Sequence, residues 1–290
     1  MELSSPADHS NDWHTGGFVI GIDMGPTYFV ASYSFHNDGI PSAQVAPSVI
    51  CKWPGPLHCC MADIKTPSKI SYDANGGISW GLHIEGKQHV ISWFELLLVD
   101  DNDLQPTFRD LDYIQESRRI IGVLGKNPIE MVGDFLGKVF EHIVMCIGQE
   151  KGEDFVNGKP FHVVITVPAF LGGIQLDRMK EAIGLSEILS ARPNRVLKTT
   201  YKFVTEPEAA TVTIAPELNR CDILIPGDSF IVVNLGGGTT DCISYVVDDT
   251  ERFELREVVE GDGAIGGAVL LYQSFRMAIK KKIMDEECRS

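Results

Sequence analysis

The run Ile231–Tyr245, IVVNLGGGTTDCISY, leaves this chain few choices of local fold. Apolar residues Ile231 to Val233 lead through Asn234 and Leu235 into three glycines and two threonines. A second apolar run, Ile243 to Val247, follows almost at once. Two apolar runs joined by a short glycine-threonine turn predict a β-hairpin. Three adjacent glycines can turn several backbone N–H groups toward one point, and such a concavity suits an anion. The hydroxyls of Thr239 and Thr240 add donors. Taken alone, these residues leave an ordinary tight turn open beside a phosphate site.

A second segment repeats the plan. Phe18 to Asp23 (FVIGID) is an apolar run ending in an acid; Gly25, Pro26 and Thr27 form a turn; Tyr28 to Ser34 is a second strand-like run. Asp23-x-Gly-x-Thr27 and Asn234-x-Gly-Gly-Gly-Thr239 thus share an order: apolar strand, Asp or Asn, glycine turn, threonine, strand. Two such hairpins near opposite ends of the chain predict two related lobes facing a cleft, with a polyphosphate held between them.

These hairpins resemble those of the actin, hexokinase and heat-shock chaperone ATPase superfamily. Three further segments resemble the 70-kilodalton heat-shock chaperones within it. They are Val163–Phe170 (VVITVPAF) with Gln175 close behind, Glu206–Ala210 (EPEAA) and Gly261–Gly267 (GDGAIGG). Val45–Trp53, Thr66–Tyr72 (TPSKISY) and Trp80-Gly81 look more like a divergent branch than the standard chaperones. The resemblance covers residues 18 to about 285. It implies an α/β chain with the actin-like ATPase, or ribonuclease H-like, two-lobed nucleotide-binding fold. The implied domains are a tail over 1–17, a first lobe over 18–222 and an incomplete second lobe over 223–290.

The resemblance also implies cofactors and site residues. ATP or ADP would bind with Mg²⁺, its phosphates cradled by Gly25, Thr27, Tyr28, Gly236, Gly237, Gly238 and Thr239. Asp241 would support the second hairpin, and Gly266 and Gly267 would approach the nucleotide where a side chain cannot fit. Asp23, Glu206 and Asn234 would form the catalytic set, with Asp23 and Glu206 holding Mg²⁺ through its waters. On the residues themselves, Asp23 can equally pair with backbone at a strand end, and Glu206 can be a helix N-terminal acid.

Departures from the family pattern argue against rapid hydrolysis. Asn234 stands where the family usually has Asp, so one negative charge and one proton acceptor are lost. Pro26 stands where it usually has Thr, removing an N–H and a hydroxyl. The family's first-lobe lysine has no convincing counterpart among Arg118, Arg119 and Lys126. The chain ends at Ser290, before the family's adenosine segment and peptide-binding domain, so the sequence reads as a truncated product or a fragment. The expectation is ATP binding with weak or absent hydrolysis; the alternative is a non-hydrolysing pseudo-ATPase acting as a scaffold for protein partners or co-chaperones. A sugar or acetate kinase would need an acceptor-site motif, and none is visible.

Composition narrows the partners. A net charge of −15 argues against a nucleic-acid surface, and it means bound ATP would rely on Mg²⁺ and backbone donors rather than a positive field. No apolar run approaches the ~18 residues of a membrane span. Met1–Thr15 is polar and unlike a signal peptide, so it reads as a disordered tail. Seven cysteines, at 51, 59, 60, 146, 221, 242 and 288, form no C-x-x-C pair. Cys59 and Cys60 follow His58, but inert thiols are expected rather than a metal site. The odd cysteine count and the absence of glycosylation acceptors suggest a reducing, cytoplasmic setting.

Local patterns supply the remaining elements. Residues 18 to about 100 read as short strands, including Gly77–Ile84 and Trp93–Val99, followed by an acidic loop over Asp100–Asp112. Helices are predicted over Asn127–Gly148, Ile174–Ile183, from Glu206, and from about Gly267 to Glu286. Strands are predicted over Phe161–Val167, Arg195–Val204, Phe230–Asn234, Asp241–Val247 and Phe253–Glu260. Pro216–Asp228 reads as a linker.

Overall fold

The computed structural model describes residues 16–37, 45–55, 64–100, 109–190, 199–221, 223–251 and 254–287, with Gly39 and Leu104. The tail expected over residues 1–15, and Cys59, Cys60 and Cys288, lie outside the described residues. The chain divides into two compact units, one of residues up to Val167 with Leu171–Val204, the other of Pro168–Phe170 with residues from Thr205 onward.

The first unit is built on strand β1 (Gly17–Met24), paired antiparallel with β2 (Tyr28–His36) and parallel with β8 (Phe161–Val167). Strict alternation explains the pairing. Phe18, Ile20, Ile22 and Met24 are buried on one face, while Asp23 lies exposed on the other. Short strands β3 (Ser48–Val49) and β4 (Thr66–Pro67) pair with β2, and β9 (Thr199–Thr205) closes the order β3-β2-β1-β8-β9. A small second sheet, order β6-β5-β7, joins β5 (Lys69–Tyr72), β6 (Ile78–Trp80) and β7 (Ile91–Ser92).

Helix α1 (Asp112–Leu124) precedes α2 (Pro128–Lys151). Asn127 caps α2: its side chain accepts from the Glu130 N–H, and the Glu130 carboxylate accepts from the Asn127 N–H, a reciprocal box with Pro128 in the first turn. Phe135 on α2 is fully buried, with ring centroids of Phe29, Trp80 and Phe94 at 5.7, 6.1 and 4.9 Å. After the short α3 (Glu153–Asn157), α4 (Gly173–Leu185) packs on α2. Gly137 allows this approach, because a Cβ there would lie 2.6 Å from the Ser186 carbonyl oxygen.

The second unit holds a meander of β10 (Ser229–Leu235), β11 (Thr239–Asp249) and β12 (Glu254–Ile265), flanked in sequence by α5 (Glu206–Arg220) and α6 (Ala268–Glu287). Helix α5 packs on β10 and β11. Its Asn219 amide donates to the Thr250 carbonyl at 2.8 Å.

Several sequence expectations change. Trp93–Val99 is not a strand: Leu96–Leu98 is one 3₁₀ turn, all three leucines buried. A short apolar run has no periodicity to separate these outcomes. Gly77–Ile84 holds only β6 before Gly81, at φ +58°, turns it into a 3₁₀ segment. Pro216 lies inside α5 rather than opening a linker, and the helix runs on to Arg220. Helix α1 was not anticipated from sequence. No described helix is long and apolar enough to cross a membrane.

Phe135→Ala is expected to destabilise the first unit by about 3–5 kcal/mol through lost burial and the cavity left among three rings. The urea midpoint of the purified variant checks this, and a loss below about 1 kcal/mol would contradict the packing.

Candidate functional site

The second hairpin turns over four residues, Gly236 to Thr239, closed by the Gly236 N–H donating to the Thr239 carbonyl at 2.9 Å. The chain's left-handed glycines lie elsewhere, so positive φ is not what this turn asks of its glycines. Close approach is. The segment entering α6 lies against it: Gly266 N–H donates to Gly238 O at 2.9 Å, Ala268 N–H to Gly236 O at 3.1 Å and Val269 N–H to Gly237 O at 3.0 Å. The Thr240 hydroxyl closes back on the Gly266 carbonyl. A Cβ on Gly267 would sit 2.5 Å from both the Gly236 and the Gly237 oxygens.

These bonds decide where the turn's donors go. In a planar trans peptide the N–H points opposite to the C=O of the same unit. The carbonyls of Gly236, Gly237 and Gly238 all face the α6 entry, so the N–H groups of Gly237, Gly238 and Thr239 point away from it. Among the described residues, the Gly237 and Gly238 N–H groups donate to no backbone carbonyl. The turn therefore holds uncharged donors without backbone partners on the side away from α6, with Gly237 part-buried and Gly238 buried, and such donors suit an anion.

The first hairpin has the same frame. Gly25 N–H donates to Tyr28 O at 3.1 Å, again across a four-residue turn. Ser68 braces it from the β4–β5 connection, its hydroxyl donating to Gly25 O at 2.7 Å and its N–H to Thr27 O at 3.0 Å. Matching the closing bonds places Gly25 with Gly236, Pro26 with Gly237, Thr27 with Gly238 and Tyr28 with Thr239. The shared threonine of the sequence comparison is thus offset by one residue: Tyr28, about half exposed, holds the place of the buried Thr239. Pro26 takes the place of a free glycine N–H, so the first turn offers one donor fewer.

The acidic residues divide between the units. Asp23, at the end of β1, accepts from the Thr166 hydroxyl at 2.7 Å across the parallel β1–β8 pair. Its Oδ2 accepts no hydrogen bond among the described residues. Glu206 opens α5, whose N-cap Thr205 accepts from the Glu208 N–H. Asn234, near the end of β10, donates its amide to Glu206 Oε2 at 2.5 Å. A carboxylate only accepts, so this contact fixes the amide orientation. The sequence thus brings Asn234 and Glu206 together.

Asp241 is fully buried in the second unit. Its Oδ1 accepts from the Ala169 N–H at 2.7 Å, and Oδ2 has no hydrogen-bond partner among the described residues. Gly263 is required beside it, since any Cβ there would collide with Oδ1. Burial pushes the Asp241 carboxyl above its ordinary value, with Asp262 adding to the effect; the Ala169 N–H and the Thr239 hydroxyl pull the other way. Asp241 lies on β11 two residues beyond Thr239, and its carboxylate ties that strand to Ala169.

The cations considered for a phosphate-stabilising role are engaged elsewhere. Arg119 pairs with Glu116, and Lys126 pairs with Asp134 at 2.8 Å and lies over the Tyr72 ring. Mg²⁺ keeps several waters and needs one or two carboxylates besides substrate phosphates. Asp23, exposed and with one oxygen to spare, fits that need. Glu206, with one oxygen held by an amide, fits it poorly. No cluster of three or more His, Cys, Asp or Glu side chains among the described residues could hold a metal alone. The braces Ser68, Thr166 and Ala169 were not singled out from sequence, and their remoteness in sequence left no local signal.

Asp241→Asn keeps an acceptor for Ala169 and removes the buried charge. Because the folded-state pKa is raised, the wild-type group contributes most below its unfolded value, and that contribution is lost as pH rises through the folded value. Asp241→Asn is therefore expected to melt at or above the wild-type temperature at pH 7, with the gap closing toward about pH 4. Melting curves across that range check it; a variant less stable at every pH would contradict the reading.

No family model matches the chain. It is 25% identical over 278 residues to the chaperone protein HscA homologues of two Acidithiobacillus ferrooxidans strains, covering 92% of this chain and 38% of each relative. It is 25% identical over 279 residues to the HscA homologue of Polynucleobacter necessarius, with the same coverage. The chain spans less than two fifths of the length of these relatives. This likeness runs through both units and indicates a distant relationship to the 70-kilodalton heat-shock chaperones.

Proposed function

We propose that this chain is a heat-shock-chaperone-like nucleotide-binding unit that takes up ATP or ADP through its two glycine turns and hydrolyses ATP weakly or not at all. The observation that carries this reading is the second turn. Three of its carbonyls are tied to the α6 entry, leaving the Gly237 and Gly238 N–H groups turned away from that entry and without backbone partners among the described residues. The same four-residue closure recurs at Gly25–Tyr28, braced by Ser68.

Weak hydrolysis follows chiefly from side chains, together with one lost backbone donor. Phosphoryl transfer is accelerated by positioning and by charge placed against the developing transition state. Pro26 withdraws a donor, Asn234 cannot take a proton from an attacking water, and Arg119 and Lys126 already serve carboxylates. Where Mg²⁺ accompanies the nucleotide, Asp23 is the residue to hold its water shell, and the ion would neutralise phosphate charge.

A second reading, an interaction scaffold for protein partners, is favoured by one observation. Ile231, Val233 and Leu235 expose one face of β10, and Leu271, Phe275 and Ile283 are exposed on α6. Exposed apolar rows on a strand face and a helix mark candidate interaction sites. Co-chaperones would belong to this reading.

Binding to the folded state must raise the melting temperature. With millimolar ATP and Mg²⁺, the wild-type chain is expected to show a clear upward shift, worth about 2.7 kcal/mol at one hundred times Kd. Gly267→Ala pushes a methyl into the turn carbonyls and is expected to reduce that shift at least tenfold in apparent Kd. A folded chain showing no shift at millimolar ATP would end the nucleotide reading. A partner pulldown that survives Gly267→Ala would favour the scaffold.

A further inference from the structure

Resting on the nucleotide-binding reading, we infer that Asn234 frees phosphate binding in this chain from dependence on a divalent cation. The Asn234 amide donates to Glu206 Oε2 at 2.5 Å, so this carboxylate oxygen is satisfied by a neutral donor. Glu206 also sits in the first turn of α5, where the helix's N-terminal N–H groups and positive end stabilise a carboxylate. Its charge is compensated twice without a cation.

The charge count gives this its force. An Asp at 234 would set two carboxylates within hydrogen-bond reach of each other. Such a pair needs a shared proton or a cation before a triphosphate can approach. Asn keeps the shape, removes one negative charge and supplies a donor. The adjoining turn offers neutral N–H donors at Gly237 and Gly238, which need no metal to attract phosphate oxygens. Asn234 is thus a specificity-determining residue: it sets which ionic form of the nucleotide is accepted, so that metal-free ATP binds about as well as Mg-ATP.

The test is the apparent ATP affinity of the full chain, read from melting temperature against ATP concentration in EDTA and in excess Mg²⁺. The wild type is expected to give Kd values within about threefold of each other. Asn234→Asp is expected to bind at least about tenfold more weakly in EDTA and to recover in Mg²⁺. The swap Asn234→Asp with Glu206→Gln restores one amide and one carboxylate and is expected to bind equally in both buffers. A wild-type shift seen only with Mg²⁺ overturns this inference and leaves nucleotide binding standing. No wild-type shift in either buffer overturns both. If Asn234→Asp shows no cooperative melt, the swap variant decides, and its requiring Mg²⁺ would overturn the inference.

Discussion

The second unit depends on a set of bonds between carbonyls and a helix entry. A tight turn of glycines has no side chains to hold its shape, and left alone it would sample many conformations. Here Gly266, Ala268 and Val269 donate to three successive turn carbonyls, and the Thr240 hydroxyl returns to Gly266. One set of bonds satisfies the first N–H groups of α6, which have no partners within the helix. It also fixes the three peptide planes whose N–H edges face away from the helix entry. The same contact explains why position 267 must be glycine: the turn oxygens occupy the space a Cβ would need.

The two hairpins solve this problem with different material. In the first, Ser68 alone supplies both a hydroxyl and an N–H to the turn carbonyls, and Pro26 stiffens the corner while removing a donor. In the second, a helix start supplies the brace and every turn position keeps its N–H. The equivalence becomes visible only through the closing bonds Gly25–Tyr28 and Gly236–Thr239. The threonines, the most conspicuous shared letters, occupy different turn positions.

Legibility in the sequence followed the range of the interactions. Strand β1, with alternating Phe18, Ile20, Ile22 and Met24, and helix α2, with Pro128 at its start and one apolar face, declare themselves locally. The Leu96–Leu98 segment does not, because three adjacent leucines bury equally well in a strand or a 3₁₀ turn. Helix α1 buries only Ile114, Ser117, Ile120 and Ile121, a narrow stripe interrupted by a serine that bonds to Ser92. Pro216 misled because a proline removes one helical bond without forbidding the turns beyond it. Asp23, Glu206, Asn234 and the turn glycines stand out in the sequence as motifs. Their partners Thr166, Ser68 and Ala169 do not, since register and chain crossover, rather than spacing, bring them into contact.

Binding and catalysis draw on different parts of such a site, and this bears on why the two would separate in this chain. The turn's donors are main-chain groups. They survive any substitution other than proline that leaves the backbone in place, and a net charge of −15 gives this chain reason to rely on neutral donors near an anion. Catalysis draws on side chains of particular charge: a carboxylate to take a proton, a cation to face the transferring phosphate. Asn234 and the engaged Arg119 and Lys126 bear on that second set, Pro26 costs the first turn one main-chain donor, and the tied carbonyls of the second turn stay intact. One side-chain change can remove a charged group outright, whereas the turn's donors are lost only where a substitution takes away an N–H, as Pro26 does, or displaces the turn, as a methyl at position 267 would.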